Sequence, residues 1–211
     1  MMQHNPYDLI IIKENVVPDK HIEELMLLTN NKEEISQATV MRTDSGGNRT
    51  AAEDLENRNT LWYEIPEEQG DKLQIAISQM YARLVQPKYN CKFRRYDPCQ
   101  FLGYPVGGHY VEHNDAETFD YDKGEWKKIV DRDVSFLFYL NSEFGGGELE
   151  FPELGLTIKP KKGMMIVFPS YKEFVHKVHP VTWGHRYSLV SWIATEKNLY
   201  DTIPGTGIPE S

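Results

Sequence analysis

Long apolar runs are missing from this chain. No stretch of its 211 residues approaches the roughly 20 apolar positions of a membrane-crossing helix. The N-terminal MMQHNPYDL has no basic-then-apolar leader pattern. Both absences predict a protein with no membrane contact. Basic surface is also missing: the formal net charge is −9 and no Lys/Arg stripe is visible, which argues against a nucleic-acid partner. Basic peptides or small molecules suit such a surface better. Cysteine is scarce. Cys91 and Cys99 are too few for a disulfide framework and are not spaced C-x-x-C, so both are expected reduced and structural. Repeats and low-complexity tracts are absent as well. The combined expectation is a soluble, cytoplasmic protein, with its oligomeric state left open.

The chain does have 40% apolar residues, enough for one domain over 1–211. Its first part, 1–88, reads as a support layer of helix and strand. Tyr7–Val17 is expected as an opening strand, followed by a helix from Pro18 and Asp19 carrying Ile22, Leu25, Met26 and Thr29 on one face. Residues 42–59 are polar, with a glycine pair and little periodicity, and read as a long loop that could serve as a lid. Leu61–Ile65 is a short strand. Leu73, Ile77, Met80, Tyr81 and Leu84 form one apolar stripe, which predicts a helix over 67–85 packed on a sheet. Beyond residue 88 the pattern turns to strands over 92–96, 134–140, 147–151, 156–159, 164–168 and 185–193, separated by Gly, Pro or Asn signals. Residues 89–193 form the expected β core and 194–211 a tail. Helices followed by strands predict an α+β, mainly β architecture, a sandwich or barrel with helices on one side.

Chemistry concentrates in the last half. In His113-Asn114-Asp115, strand alternation would turn His113 and Asp115 to one face. His176 lies 61 residues beyond Asp115, and Arg186 follows it by ten. Two histidines and one carboxylate make the facial triad that holds Fe(II) and leaves positions open for oxygen and a co-substrate. An arginine one short strand away can clamp an organic carboxylate. A lone H-x-D is weak, because such tripeptides arise by chance.

What strengthens it is the sequence around it: H-x-D at 113–115, GGELEF at Gly146 to Phe151, and HKVHPVTWGHRYSLVSW from His176. Over roughly residues 90–193 the chain resembles the 2-oxoglutarate- and Fe(II)-dependent dioxygenases, specifically the prolyl 4-hydroxylase-like group. The resemblance implies a double-stranded β-helix, or jelly-roll, with iron at one mouth. It implies Fe(II) on His113, Asp115 and His176, and Arg186 on the far carboxylate of 2-oxoglutarate. It further implies O2 as co-substrate and ascorbate in support. The reaction so implied is hydroxylation of a C–H bond, most simply of a prolyl residue in a peptide or protein, with release of succinate and CO2. Tyr96 matches a tyrosine that hydrogen-bonds the co-substrate, with Tyr104 as its competitor because the connection to His113 is long. Tyr110 matches a tyrosine near the site. Ser188 shares the strand face of Arg186 and could also reach the co-substrate.

Other residues compete for these roles. His4, His21, His109, His179 and His185 are read as packing or surface histidines, His179 facing away if the segment at His176 is extended. His109, Glu112 and His113 also spell H-x-x-E-H, a zinc-peptidase motif that needs a helix; Pro105, Gly107 and Gly108 oppose one. A metal-free jelly-roll binding module is a further alternative. Glu117, Trp126 and Trp183 are available to a substrate mouth but are read as packing or solvated surface.

Overall fold

Two antiparallel sheets share one apolar core. The structure is a computed structural model and describes residues 6–31, 35–43, 49–120, 123–197 and 199. The major sheet has eight strands. In spatial order these are Ile11–Lys13, Met165–Pro169, Val134–Tyr139, Arg186–Thr195, Gln100–Tyr104, Leu61–Tyr63 and Ile35–Gln37, with Phe93–Tyr96 on the far end of Arg186–Thr195. The minor sheet runs Leu156–Ile158, Leu149–Phe151, His176–Val178, His109–His113 and Arg58–Asn59. Phe151 of the minor sheet meets Phe168 of the major sheet edge to face, with ring centroids 5.0 Å apart. This mainly β architecture is a jelly-roll with helices on one sheet.

Val134–Tyr139 shows why the core sits where it does. Its sequence VSFLFY is buried at every position, as a central strand covered on both faces must be. On one side lie the helices. Leu25, Leu73, Ile77 and Met80 gather against Phe138, Leu140 and Leu189 of the major sheet. The helix Glu67–Met80 begins after Pro66 with two glutamates in its first turn, where the helix dipole favours negative charge. It then widens into one π-type turn, Tyr81–Val85, and resumes as Gln86–Tyr89. Pro87, which has no backbone N–H to donate, sits just past the widened turn. Tyr81, Val85 and Tyr89 are all fully buried. The Tyr81 hydroxyl donates to the Cys91 carbonyl, and that of Tyr89 to the Leu9 carbonyl.

The structure departs from the sequence reading in three places. The opening segment is not one strand: Pro6–Leu9 forms a 3-10 turn, Ile11–Lys13 alone is extended, and Asn15 adopts φ 56. The Val16 amide then bonds Gly163 O instead of continuing a ladder. The long loop expected over 42–59 is in part paired. Val40–Thr43 and Arg49–Ala52 form a hairpin in register Val40↔Ala52, and Arg58–Asn59 joins the minor sheet. The strands VMRT and RTAA show no period-two alternation, yet they pair because the ladder satisfies their backbone; the glycine pair at 46–47 lies outside the described residues, as do 198 and 200–211 of the tail. The strands at 109–113 and 176–178 agree with the extended reading of His113 and His176, while those at 100–104, 117–120, 125–128, 144–146 and 181–184 are additional to the sequence reading. Strands from the first 88 residues extend both sheets, so support layer and core are one packed unit.

Both cysteines are free and buried. Among the described residues no helix is long and apolar enough to cross a membrane. Truncating the fully buried Phe136, which packs 6.0 Å from Phe138 and 6.5 Å from Tyr81, leaves a cavity between sheet and helix. Phe136→Ala should lower unfolding free energy by about 3–5 kcal/mol in equilibrium denaturation.

Candidate metal centre

His113 and His176 are direct cross-strand partners. The register pairs His176 with His113 and Val178 with Tyr110, a bulge taking up the residue between. Opposed residues on adjacent antiparallel strands hold their Cβ atoms about 5 Å apart, and the two imidazole centroids lie 4.3 Å apart. Asp115 arrives by another route. Strand His109–His113 ends at His113, so alternation does not place Asp115, contrary to the sequence reading. Instead Asn114 Oδ1 accepts from the amides of Ala116 and Glu117, at 3.2 and 2.6 Å. This Asx-type turn folds Asp115 back toward the histidines. Its Oδ1 lies 4.0 Å from His113 Nε2 and its Oδ2 3.9 Å from His176 Nε2. Among the described residues these three are the one His/Cys/Asp/Glu cluster whose donor atoms, all within 4.8 Å of one another, could hold a metal ion.

The surroundings prepare these donors. His113 Nδ1 donates to Val111 O at 2.8 Å and His176 Nδ1 to Phe174 O at 3.0 Å. Both Nε2 lone pairs therefore face the shared centre, the tautomer that metal ligation requires. Ser135 Oγ donates to Asp115 Oδ2 at 2.6 Å and meets Ser170 Oγ at 2.7 Å. Phe168 and Phe151 pack on His176. Burial, and then the neighbouring His176, push the His113 imidazole down to about 3. Burial alone would raise Asp115, but the two imidazoles and the Ser135 hydroxyl outweigh it and hold the carboxyl below its usual range. A His113 that resists protonation beside a carboxyl held below its usual range fits a divalent cation.

The cluster opens into a cavity of about 430 Å³, lined in part by Leu102, Leu137 and Val190 of the major sheet and Val178 of the minor sheet. Tyr110 lines it and stacks on His113 at 3.6 Å. Tyr104 also lines it, and the Arg186 guanidinium lies over its ring at 4.4 Å. Tyr139 takes the guanidinium at 4.9 Å. Arg186 is fully buried, yet its Nε and Nη2 have no hydrogen-bond partner; Nη1 reaches Ser188 Oγ at 3.3 Å. The Tyr139 hydroxyl is likewise unpartnered, and burial pushes it up to about 12, so it stays a donor. Gly147 lets this happen: at φ +66 a Cβ would sit 2.9 Å from Arg186 Cδ. An orphaned buried cation flanked by two rings asks for an anion.

Tyr96 does not reach the site. It pairs with Ile193 and stacks on Phe93, whereas Arg186 pairs with Tyr104, seven positions or about 23 Å along the same strand. Ser188 holds the guanidinium. His109 lies on a strand, and both its ring nitrogens meet backbone carbonyls, of Gly107 and Glu56. Glu112 pairs outward with Lys177. The helical peptidase geometry is therefore absent. His179 bonds Glu150, His185 stacks on Tyr187, His21 pairs with Glu24, and His4 lies outside the described residues. Trp126 packs on Phe119 and Trp183 is exposed, while Glu117 lines the cavity and accepts from the Lys172 amide. Arg58, Arg132, Ser135, Ser170 and Tyr139 were missed. No spacing marks them, because each matters only through tertiary neighbours.

Residues 99–194 match the profile of the 2OG-Fe(II) oxygenase superfamily. The chain is 24% identical over 205 residues to a putative prolyl 4-hydroxylase of Acanthamoeba polyphaga mimivirus, covering 92% of this chain and 77% of that one. It is 38% identical over 93 residues to prolyl 3-hydroxylase 2 of Mus musculus, covering 40% of this chain but 13% of that much longer protein. Its fold matches a prolyl hydroxylase from Trichoplax adhaerens solved with a hypoxia inducible factor oxygen degradation domain peptide fragment. That match has a TM-score of 0.67 and 20% identity, and covers 92% of this chain and 87% of that one.

Two outcomes follow from the donors. Ser135→Ala should weaken Mn(II) or Fe(II) binding about 10- to 100-fold in a metal titration, with Ser135→Thr restoring it. In the metal-free protein the depressed His113 means that the unfolded chain binds protons first. Stability should be full above the ordinary value of 6.5, and fall as pH drops from there toward about 3. Melting temperatures of metal-free protein should therefore decline below about pH 6.5, and decline less steeply in His113→Gln.

Proposed function

We propose that this chain is a 2-oxoglutarate- and Fe(II)-dependent oxygenase of the prolyl 4-hydroxylase-like kind, as the match over residues 99–194 and the mimivirus relative support, and that it hydroxylates prolyl residues of a peptide or protein. His113, Asp115 and His176 hold Fe(II), and Arg186 takes the far carboxylate of 2-oxoglutarate. Bound there, the iron supplies oxygen activation coupled to decarboxylation of 2-oxoglutarate, yielding succinate, CO2 and a hydroxylated C–H carbon.

The chain's own residues do the positioning. The Nδ1–carbonyl bonds fix both imidazoles, and Ser135 fixes the carboxylate. Arg186 with the neutral Tyr139 hydroxyl offers buried donors to a carboxylate, and Tyr104, not Tyr96, is the tyrosine beside them. The apolar wall of Leu102, Leu137, Val178 and Val190 keeps water from the reacting centre. The observation that carries this reading is the wholly buried, half-unpartnered guanidinium beside a three-donor metal cluster.

Three further points belong to the proposal. Ascorbate supports turnover, the hairpin 40–52 borders the substrate mouth through Val40, and the two free buried thiols suit a reducing, cytoplasmic compartment.

A succinate-release assay over a panel of proline-containing peptides, read with mass spectrometry for a +16 Da product, tests the function; absence of any 2-oxoglutarate-dependent product removes it. Arg186→Gln should raise the KM for 2-oxoglutarate roughly tenfold to a hundredfold, the worth of charge-assisted hydrogen bonds. An unchanged KM would take Arg186 out of co-substrate binding.

A further inference from the structure

Two arginines line the cavity, a third lies behind it, and their partners differ. Arg186 stands behind Tyr104 at the recess assigned above to 2-oxoglutarate. Arg132 is compensated: its Nε donates to Asp97 Oδ2 at 2.6 Å and its guanidinium lies 3.7 Å over Trp192. Arg58 is not. It is about nine-tenths buried, and among the described residues no carboxylate lies within ion-pair distance. Its Nη1 donates to Thr39 O at 3.0 Å and its Nε has no partner. Asp54, one turn earlier, takes the Asn57 side-chain amide at 2.6 Å.

Arg58 is held in place by the same strand that carries the metal cluster. The pairing Arg58↔Tyr110 puts its guanidinium 4.8 Å over the Tyr110 ring, and that ring stacks on His113. A chain of net charge −9 has carboxylates to spare, yet among the described residues none pairs with this cation. The tyrosine face offsets only part of the cost of burying an unpaired charge. The missing counter-charge is therefore one that arrives with a ligand. The co-substrate's carboxylate is already met at Arg186, so it belongs to the molecule being oxidised.

We propose that Arg58 is a specificity-determining residue which receives a carboxylate of the substrate, so that the preferred substrate is a peptide with an acidic residue close to the hydroxylated proline. The assignment rests on the oxygenase reading above. Arg58 stands two ring contacts from His113, so the acidic residue falls within about two or three positions of the proline in an extended peptide. With Nη1 tied to Thr39, one edge of the guanidinium remains, and the discrimination is a single charge-assisted contact, about tenfold.

The test uses full-length protein loaded with Mn(II) and 2-oxoglutarate. Otherwise identical proline peptides carry Asp, Asn or Lys at each offset from −3 to +3. Binding is followed by fluorescence, with hydroxylation of the same panel by the Fe(II) enzyme. Wild type should bind the Asp peptide about tenfold tighter than the Asn peptide at one offset, and the Lys peptide weaker still. Arg58→Gln should lose that preference and Arg58→Lys retain part of it, with Mn(II) and 2-oxoglutarate titrations as the control that the metal pocket survives. Equal binding of Asp and Asn peptides at every offset, or a preference that persists in Arg58→Gln, overturns the inference while leaving the oxygenase reading standing. Failure to bind 2-oxoglutarate overturns both.

Discussion

Everything at the centre depends on one cross-strand register. Opposing His176 to His113 in adjacent antiparallel strands brings two imidazoles together from positions far apart in the chain. Slipping that pairing by one residue would send one ring to the other face of the sheet. The bulge between His176 and Val178 then returns Val178 to Tyr110, so Tyr110 stays against His113. Backbone hydrogen bonds thus set the distance between the donors before any metal arrives, and the Asn114 turn and the Ser135 hydroxyl bring in the carboxylate.

The long strand Arg186–Thr195 links this centre to the rest of the fold. Its neighbours are Val134–Tyr139 on one side and Gln100–Tyr104 on the other, so Arg186 lies between Tyr139 and Tyr104 by position in the sheet. The same side chains that close the core therefore sandwich the guanidinium. A cation with two unpartnered nitrogens survives there because the rings cover it and Gly147 leaves room for its aliphatic stem.

Residue types with few other uses were readable without coordinates. His113, Asp115, His176 and Arg186 were picked out by the family pattern they match, and the strand-rich second half followed from short aromatic runs. The argument for Asp115 was wrong in its reason, since a side-chain-capped turn and not strand alternation directs it. The choice between Tyr96 and Tyr104 needed the register of the last strand, which no local pattern encodes. The hairpin strands from residue 42 onward read as loop because neither VMRT nor RTAA alternates apolar with polar residues. Arg58 was invisible for a deeper reason: what sets it apart is the lack of a carboxylate around it among the described residues, and a sequence does not display missing neighbours.

The widened turn at Tyr81–Val85 has a consequence for how this architecture tolerates length changes. Each residue advances an α-helix by about 100°, so the one additional residue in that turn sets the rotational phase of all that follows. It keeps Tyr81, Val85 and Tyr89, spaced by fours, pointing inward, and lets the Tyr89 hydroxyl reach the Leu9 carbonyl beside the outermost strand. Removing a single residue there would swing Tyr89 out of phase and unlatch the N-terminal edge of the major sheet, while the metal cluster kept its own pairing. Insertions and deletions are thus felt at the molecule's periphery through the helix, well apart from the strands that do its chemistry.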